Sequence, residues 1–593
     1  MPSVLESPYL TRQLIAYIGN KRSLLGFLHD VFERLADRHP VETFMDPFAG
    51  SGAVARLARL MGWRVLANDW EFYSWVINSC HLEVDARRLP GMFRGLGGID
   101  GALAVLNTLP EPAPGKRYIS RYYAPERTES ADYRTERLFY TAENARIIDA
   151  ARGRIERWYP GWELDRRALA EKTILLAALL YQSATHTNTS GVFKACHKGF
   201  GGHGREALGR IMRRIELQRP VLAATRRPAR MHRMEAERFA SGRSADLCYL
   251  DPPYTTHQYG SNYHMLNTIA LWDRPPVNQN RTADGRLAEK AGIRKDWTRT
   301  RSPYCYRTTA LAALEDLLGA LDCRFVVLSY NTEGLIPFEA LYEVLARRGR
   351  VELFSSGYVK YRGGKQSLRR QIHNLELVLA VERGAAAGRS DRQRIRHALL
   401  ERKLAALWKQ SFDPDRVREV FGVDADGEGE GAIIRAGGRA PGDGRAPVAR
   451  AAALHMPYLY RFDLNGAASI SPGSTRAGTA SASQGAAPPR FGGYEELRDF
   501  HERLSRCVCA DRREEVRILM RIIGRTAGTA LGRRMARRAL WLLRKFAFKK
   551  YRETFTSTWE EVHRLFEEHP GLLELFGEEL ESIRQRAGRR FRG

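Results

Sequence analysis

The apolar run Ala245-Asp246-Leu247-Cys248-Tyr249-Leu250 stops abruptly at Asp251-Pro252-Pro253-Tyr254. A strand that ends this way sets a carboxylate, an imide-stiffened turn and an aromatic ring at the carboxyl edge of a sheet, where open α/β sheets bind ligands. Short apolar runs bounded by turn signals recur at 41–47, 63–69, 324–331 and 375–383, and with 245–254 they read as buried parallel strands. Helical periodicity lies between them, as at 24–38 and 53–60. Strands alternating with helices predict an α/β domain built on a parallel sheet. The span 105–240 breaks this alternation: it is helix-rich and reads as an insertion between early and late strands.

Alone, the tetrapeptide also fits a strand-ending proline turn with an N-capping Asp. The chemistry it suits is methylation of an exocyclic amino group on a flipped base. The lone pair of an arylamine nitrogen is delocalised into the ring, which makes it a poor nucleophile. Accepting both N–H bonds, through the Asp251 carboxylate and the Pro252 carbonyl, pushes the nitrogen toward sp³ character and aims its lone pair at a methyl donor. Tyr254 would stack on the extruded base, a contact worth about 1–3 kcal/mol.

A second motif, Phe44-Met45-Asp46-Pro47-Phe48-Ala49-Gly50-Ser51-Gly52, follows a strand pattern and opens a helix. Glycines at such a turn let the backbone approach a ligand closely, and the helix start favours an anion. The spacing is not that of the dinucleotide fingerprint, and Gly363-Gly364-Lys365-Gln366 is not a phosphate loop. Asp69 closes the next strand and fits either ribose hydroxyls or a helix cap. Tyr17-Ile18-Gly19-Asn20-Lys21 reads as a helix start with a solvated Lys or as a lid over a cofactor pocket.

Together these segments resemble the alpha-class, Dam-like DNA adenine-N6 methyltransferases with a D-P-P-Y catalytic motif. The order matches: Tyr17–Lys21, Asp46–Gly52, an insertion, then Asp251–Tyr254. The likeness extends to Asn188–Phe193, Gln258-Tyr259, Asn262-Tyr263-His264, Leu328–Ile336 and Tyr361-Arg362-Gly363, about 380 residues in all. It implies a Rossmann-like S-adenosylmethionine-dependent methyltransferase sheet, with a late antiparallel hairpin, a helical target-recognition insertion and a helical C-terminal appendage. It also implies S-adenosylmethionine as cofactor and double-stranded DNA as substrate. Tyr17, Lys21, Asp46, Phe48, Gly50, Ser51, Gly52, Asp69, Glu235 and Asp251 would bind the cofactor, Glu235 standing where the family often has an Asp near its adenine. Asp251, Pro252, Pro253 and Tyr254 would form the catalytic site. A cognate restriction endonuclease is a further partner of such an enzyme. N4-cytosine methylation, RNA adenine methylation and a catalytically silent DNA-binding protein remain alternatives.

The implied division is 1–104 for the cofactor-binding part, 105–205 for target recognition and 206–383 for the catalytic part. A basic helical extension at 384–422, a flexible Gly/Ala/Ser/Pro-rich linker at 423–490 and a basic helical region at 491–593 follow. The chain has 95 Lys and Arg against 68 Asp and Glu, a net charge of +27 that favours a polyanionic partner. Residues 521–552 hold eleven Lys or Arg and no acid, and read as one basic amphipathic helix. Phosphate contacts, an anionic membrane surface and a solvated bundle face all account for it. The polar stretch 277–310 fits a loop beside DNA or plain solvated charge. His186, Cys196, His197 and His203 match no zinc spacing, so no metal is expected. Seven scattered cysteines, no signal pattern and no long apolar window lead us to expect a cytoplasmic protein without membrane spans.

Overall fold

A computed structural model describes residues 4–202, 207–225, 227–331, 334–355, 376–386, 389–407, 494–509, 512–548 and 551–592, with short pieces between 413 and 462. Of the segments singled out above, Thr332-Glu333, Tyr361-Arg362-Gly363, His203 and most of 423–490 lie outside the described residues. The chain divides into two compact units, one of residues 1–363 and 375–388, the other of 364–374 and 389–593.

The first unit is built on seven strands: β1 Thr43–Asp46, β2 Arg64–Asn68, β3 Ala229–His232, β4 Ser244–Leu250, β5 Asp322–Asn331, β6 Gly349–Ser355 and β7 Glu376–Arg383. Their order is β3-β2-β1-β4-β5-β7-β6. The first five run parallel, with Phe44 opposite Leu247 and Met45 opposite Cys248 where β1 meets β4. β7 runs antiparallel to both β5 and β6. The run 375–383, expected among the parallel strands, is therefore reversed and forms the late hairpin. A strand flanked on both sides is buried whichever way it runs, so its apolar character carries no direction.

Successive strands are laid to one side of β1 and then, from β4, to the other. The carboxyl ends of β1 and β4 thus flank the topological switch point, where an α/β sheet opens a crevice. Beneath the sheet, Phe32, Phe44, Trp63 and Tyr249 pack in one apolar core. Helix Ala53–Leu60 is buried deeply enough that Arg56 is fully enclosed. Its guanidinium donates to the carbonyls of Tyr9, Arg12 and Gln13 and so ties the N-terminal segment to the sheet.

Helices Gly98–Asn107, Ala142–Trp158 and Arg166–Thr185 lie between β2 and β3. Each of the longer two starts at a polar cap: Thr141 accepts from Asn144 N–H, and Asp165 accepts from Arg167 and Ala168 N–H. They share a second core with helix His264–Leu271.

The described part of the second unit holds helices Arg389–Leu407, Tyr494–Arg506, Arg512–Thr526, Ala530–Phe546, Arg552–Glu567 and Pro570–Arg592, together with three short paired strands at Val423–Asp426, Ile433–Ala436 and Arg461–Phe462. The span 521–552 is two helices and the start of a third rather than one. The break falls at Ala527-Gly528-Thr529, where the Thr529 hydroxyl accepts from Gly532 N–H at 3.1 Å and begins a new helix. Among the described residues no helix is long and apolar enough to cross a membrane.

Candidate active site

β1 delivers Asp46 to the switch point, and the chain then turns through Pro47–Gly52 into helix Ala53–Leu60. Gly50 and Gly52 have φ of 52° and 79°, values that side-chain-bearing residues rarely adopt. There is also no space for a side chain: a Cβ on Gly50 would lie 2.8 Å from Tyr17 Cε1, and one on Gly52 1.9 Å from Asn78 Oδ1. Ser74 Oγ and Asn78 Nδ2 both donate to the Gly50 carbonyl, at 2.7 and 3.1 Å.

Asp69, at the end of β2, accepts from Gly50 N–H at 2.8 Å through one oxygen and from Glu71 N–H at 2.8 Å through the other. It therefore braces the glycine turn as well as facing the cleft. Glu71 follows, buried, accepting from Asn267 Nδ2 at 2.6 Å. Burial pushes the Glu71 carboxyl up to about 7. Burial also raises Asp46 well above the ordinary carboxylate range, despite the Phe48 N–H it accepts at 3.2 Å, and the nearby Asp251 and Asp69 charges push it further. Several carboxyl groups thus converge in poorly solvated space, which is costly unless something positive stands among them.

Lys21 supplies that charge. Its ammonium lies 2.9 Å from Asp251 Oδ1 and 3.2 Å from the Gly19 carbonyl, with Lys21 3 % and Asp251 17 % exposed. It also sits 5.4 Å from the centre of the Tyr254 ring. Lys21 is held there by aromatic packing. The Tyr17 ring stacks on Tyr263 at 4.9 Å and on Tyr259 at 5.1 Å, Tyr259 Oη donates to the Ile18 carbonyl, and Ile18 N–H donates to Tyr263 Oη.

The Asp251–Tyr254 turn is supported from β5 and the segment after it. Tyr249 Oη donates to Ser329 Oγ at 2.8 Å, Leu335 N–H donates to the Tyr254 carbonyl at 3.2 Å, and the Tyr254 ring meets the Tyr330 ring edge-on. The outer wall comes from the polar stretch 277–310: Thr300, Ser302, Pro303 and Tyr304 line the cleft. Ser302 and Gln258 exchange two hydrogen bonds, and Tyr304 Oη donates to Glu237 Oε1 at 2.6 Å.

One cleft thus brings together Tyr17, Lys21, Asp46, Phe48, Gly50, Ser51, Asp69, Asp251 and Pro253. Gly52 and Pro252 belong to its supporting turns, and Tyr254 lies against Lys21. Glu235 stands apart. It is exposed at the start of helix Ala236–Ala240, and Met234, Ala236 and Glu237 line the cleft instead. Glu71, Glu237, Tyr259 and Tyr304 were not anticipated from the sequence, although Glu71 is two residues past Asp69 and Tyr259 lies inside a motif already noted. His186 Nδ1 contacts the Gln182 carbonyl and Cys196 Sγ accepts from Leu138 N–H, so both are occupied locally. Among the described residues, the one group with metal-ligand spacing is His29, Asp30 and Glu33, with Asp30 and Glu33 exposed.

Comparison with known proteins agrees with this geometry. Residues 17–342 match the family of D12 class N6 adenine-specific DNA methyltransferases. The type II methyltransferase M.NlaIII of Neisseria lactamica is 30% identical over 361 residues, 60% of this chain and 96% of that protein. Modification methylase LlaI of Lactococcus lactis subsp. lactis is 28% identical over 370 residues, 61% of this chain and 54% of its own length. Type II methyltransferase M.CviAII of Paramecium bursaria Chlorella virus 1 is 25% identical over 351 residues, 59% and 93% of the two chains. With the matched segment running from Tyr17 through the glycine turn and Asp251–Tyr254 to Tyr342, the chain belongs to the D12 class N6 adenine-specific DNA methyltransferases.

Proposed function

We propose that the cleft between the carboxyl ends of β1 and β4 is where a methyl group passes from S-adenosylmethionine to N6 of an adenine flipped out of double-stranded DNA. The observation that carries this reading is Asp251, set at the end of β4 beside the glycine turn and paired with a buried lysine at 2.9 Å. The methyl donor's charge and shape suit the residues present. A sulfonium cation fits a cleft lined by Asp46, Asp69, Glu71 and Asp251, and the absence of a side chain at Gly50 lets the Tyr17 ring close onto the glycine turn. Tyr17, Asp46, Phe48, Gly50 and Glu71 would hold it, and when bound it supplies an electrophilic methyl on a good leaving group.

The chain's own residues do the rest. The Asp251 carboxylate and the Pro252 carbonyl accept the two N–H bonds of the amine, and Tyr254 stacks on the base. Held by these two acceptors, the amine nitrogen would take the methyl group that the donor supplies, with a neutral thioether as the leaving group. The nitrogen gains positive charge beside Asp251 and then releases one proton toward that carboxylate and on to water. Lys21 keeps Asp251 an acceptor while the site is empty of base. Adenine over cytosine, and DNA over RNA, follow from the family. Within this reading the helices between β2 and β3 carry target recognition, and by likeness to modification methylases a cognate restriction endonuclease is the partner.

Incubating the purified chain with methyl-labelled S-adenosylmethionine and duplex DNA, then resolving the nucleosides, tests the proposal. Label in N6-methyladenine supports it. Label in N4-methylcytosine, in RNA alone, or nowhere in nucleic acid overturns it.

A further inference from the structure

The second unit holds a feature that the methyl-transfer site does not use. Helix Ala530–Phe546 carries six cations, Arg533, Arg534, Arg537, Arg538, Arg544 and Lys545, and no carboxylate. At 100° per residue all six fall within about 80° of Trp541, while Met535, Ala536, Ala539, Leu540, Leu542 and Leu543 occupy the other side and are buried in the bundle. Trp541 is 40% exposed in the middle of the cationic face. The Arg538 guanidinium lies 4.4 Å and the Lys545 ammonium 4.7 Å from its ring centre, so the indole holds a cation on each flank. Glu515 pairs with Arg538 and Glu579 with Arg544, which fixes two of the cations from neighbouring helices. Arg533, Arg534, Arg537 and Lys545 are exposed.

We infer that this face is a second nucleic-acid contact, which binds the phosphodiester backbone of duplex DNA without reading its sequence. The stripe from Arg534 to Lys545 spans eleven residue steps, about 16 Å of helix. Duplex DNA presents about nine phosphate charges over such a length. A membrane surface is the weaker fit, because an interfacial helix must offer its apolar side to lipid. Here that side is already consumed by the bundle core. The inference rests on the reading that the chain acts on DNA and adds a site that would raise its residence on any duplex.

The test uses the full chain and a labelled duplex of arbitrary sequence, with affinity followed across salt. Losing the three cations in the variant Arg534→Gln/Arg537→Gln/Lys545→Gln should lower the slope of log affinity against log salt by about 2–3, and so shrink the loss of affinity between about 50 and 200 mM salt roughly 40-fold. Affinity at low salt should fall, with methyl transfer at saturating DNA unchanged. The double variant Arg534→Lys/Arg537→Lys, which keeps the charge, should bind as the parent does and guards against a folding artefact. Wild-type affinity and slope in the triple variant overturn the inference. So does a triple variant that loses binding to phosphatidylserine vesicles while holding the duplex normally. A wild-type chain that transfers no methyl group but shows the charge-dependent duplex binding would instead refute the proposed function and leave this contact standing.

Discussion

Replacing Lys21 by methionine removes one buried positive charge, with its hydrogen bond to the Gly19 carbonyl and its contact with the Tyr254 ring, while methionine follows much of the same path. In the parent the ammonium is 2.9 Å from Asp251 Oδ1. At an effective dielectric of about 20 the direct attraction at that distance is about 6 kcal/mol, most of it offset by the desolvation of both groups. Removing one partner of such a pair costs about 3–5 kcal/mol. Asp251 keeps partial contact with water, at 17% exposure, which puts the cost at the lower end of that range. The carboxylate then relaxes by turning toward solvent or taking up a proton, and either way ceases to accept the N–H of the amine. One charge-assisted hydrogen bond is worth about 1.5–3 kcal/mol, so methyl transfer should slow about 10- to 150-fold. The assay is a single turnover with enzyme in excess of duplex, paired with equilibrium binding of S-adenosylmethionine. Lys21→Arg should recover part of the rate. A Lys21→Met enzyme within about threefold of the parent rules out this role of Lys21, as does a loss of donor affinity that accounts for the whole drop in rate.

Glu71 gives a pH test. Its carboxyl is raised by burial from 4.5 to about 7, so the folded state keeps a proton that the unfolded chain has already lost. The stability it contributes is complete below the unfolded value and is lost as pH rises through about 7. Glu71→Gln should flatten that part of the pH dependence of Tm, and an unchanged profile counts against the assignment. Gly52→Ala should destabilise the first unit by about 2–3 kcal/mol, adding a left-handed backbone penalty to the loss of the Asn78–Gly50 hydrogen bond. Calorimetry should also show donor binding weakened at least about tenfold, since Gly50 is displaced; intact binding would mean that the turn is not the donor's cradle.

The parts of the fold that could be read in advance are those where burial is written into composition. β1, β2, β4 and β5 are apolar runs that end at turn residues; β1, β2 and β5 lie within two residues of where the sequence places them, while β4 stops at Leu250, four residues short of the run 245–254, because the Asp251-Pro252-Pro253 turn ends the strand. β3, Ala-Arg-Met-His, and β6, Gly-Arg-Val-Glu-Leu-Phe-Ser, are the two edge strands. An edge needs fewer apolar residues, and their arginines and glutamate hide the strand character. The site followed the same logic. Motifs fixed at a strand end, Asp46 and Asp251, were legible because topology alone carries them to the switch point. Residues placed by loop geometry were not: Asp69 bracing Gly50, Glu71 against Asn267, and the choice between Glu235 and Glu237 each depend on which way a short turn rotates. The ladder of Tyr17, Tyr259 and Tyr263 joins segments more than 240 residues apart, and hydropathy does not relate them.

In the proposed reaction Asp251 presents adenine N6 to a methyl donor in this cleft. Single-molecule sequencing of DNA from cells that express the wild type or Asp251→Ala tests it most directly. N6-methyladenine is expected in one sequence context with the wild type and none with the variant, while the variant remains folded. The same modification pattern in both strains would contradict it.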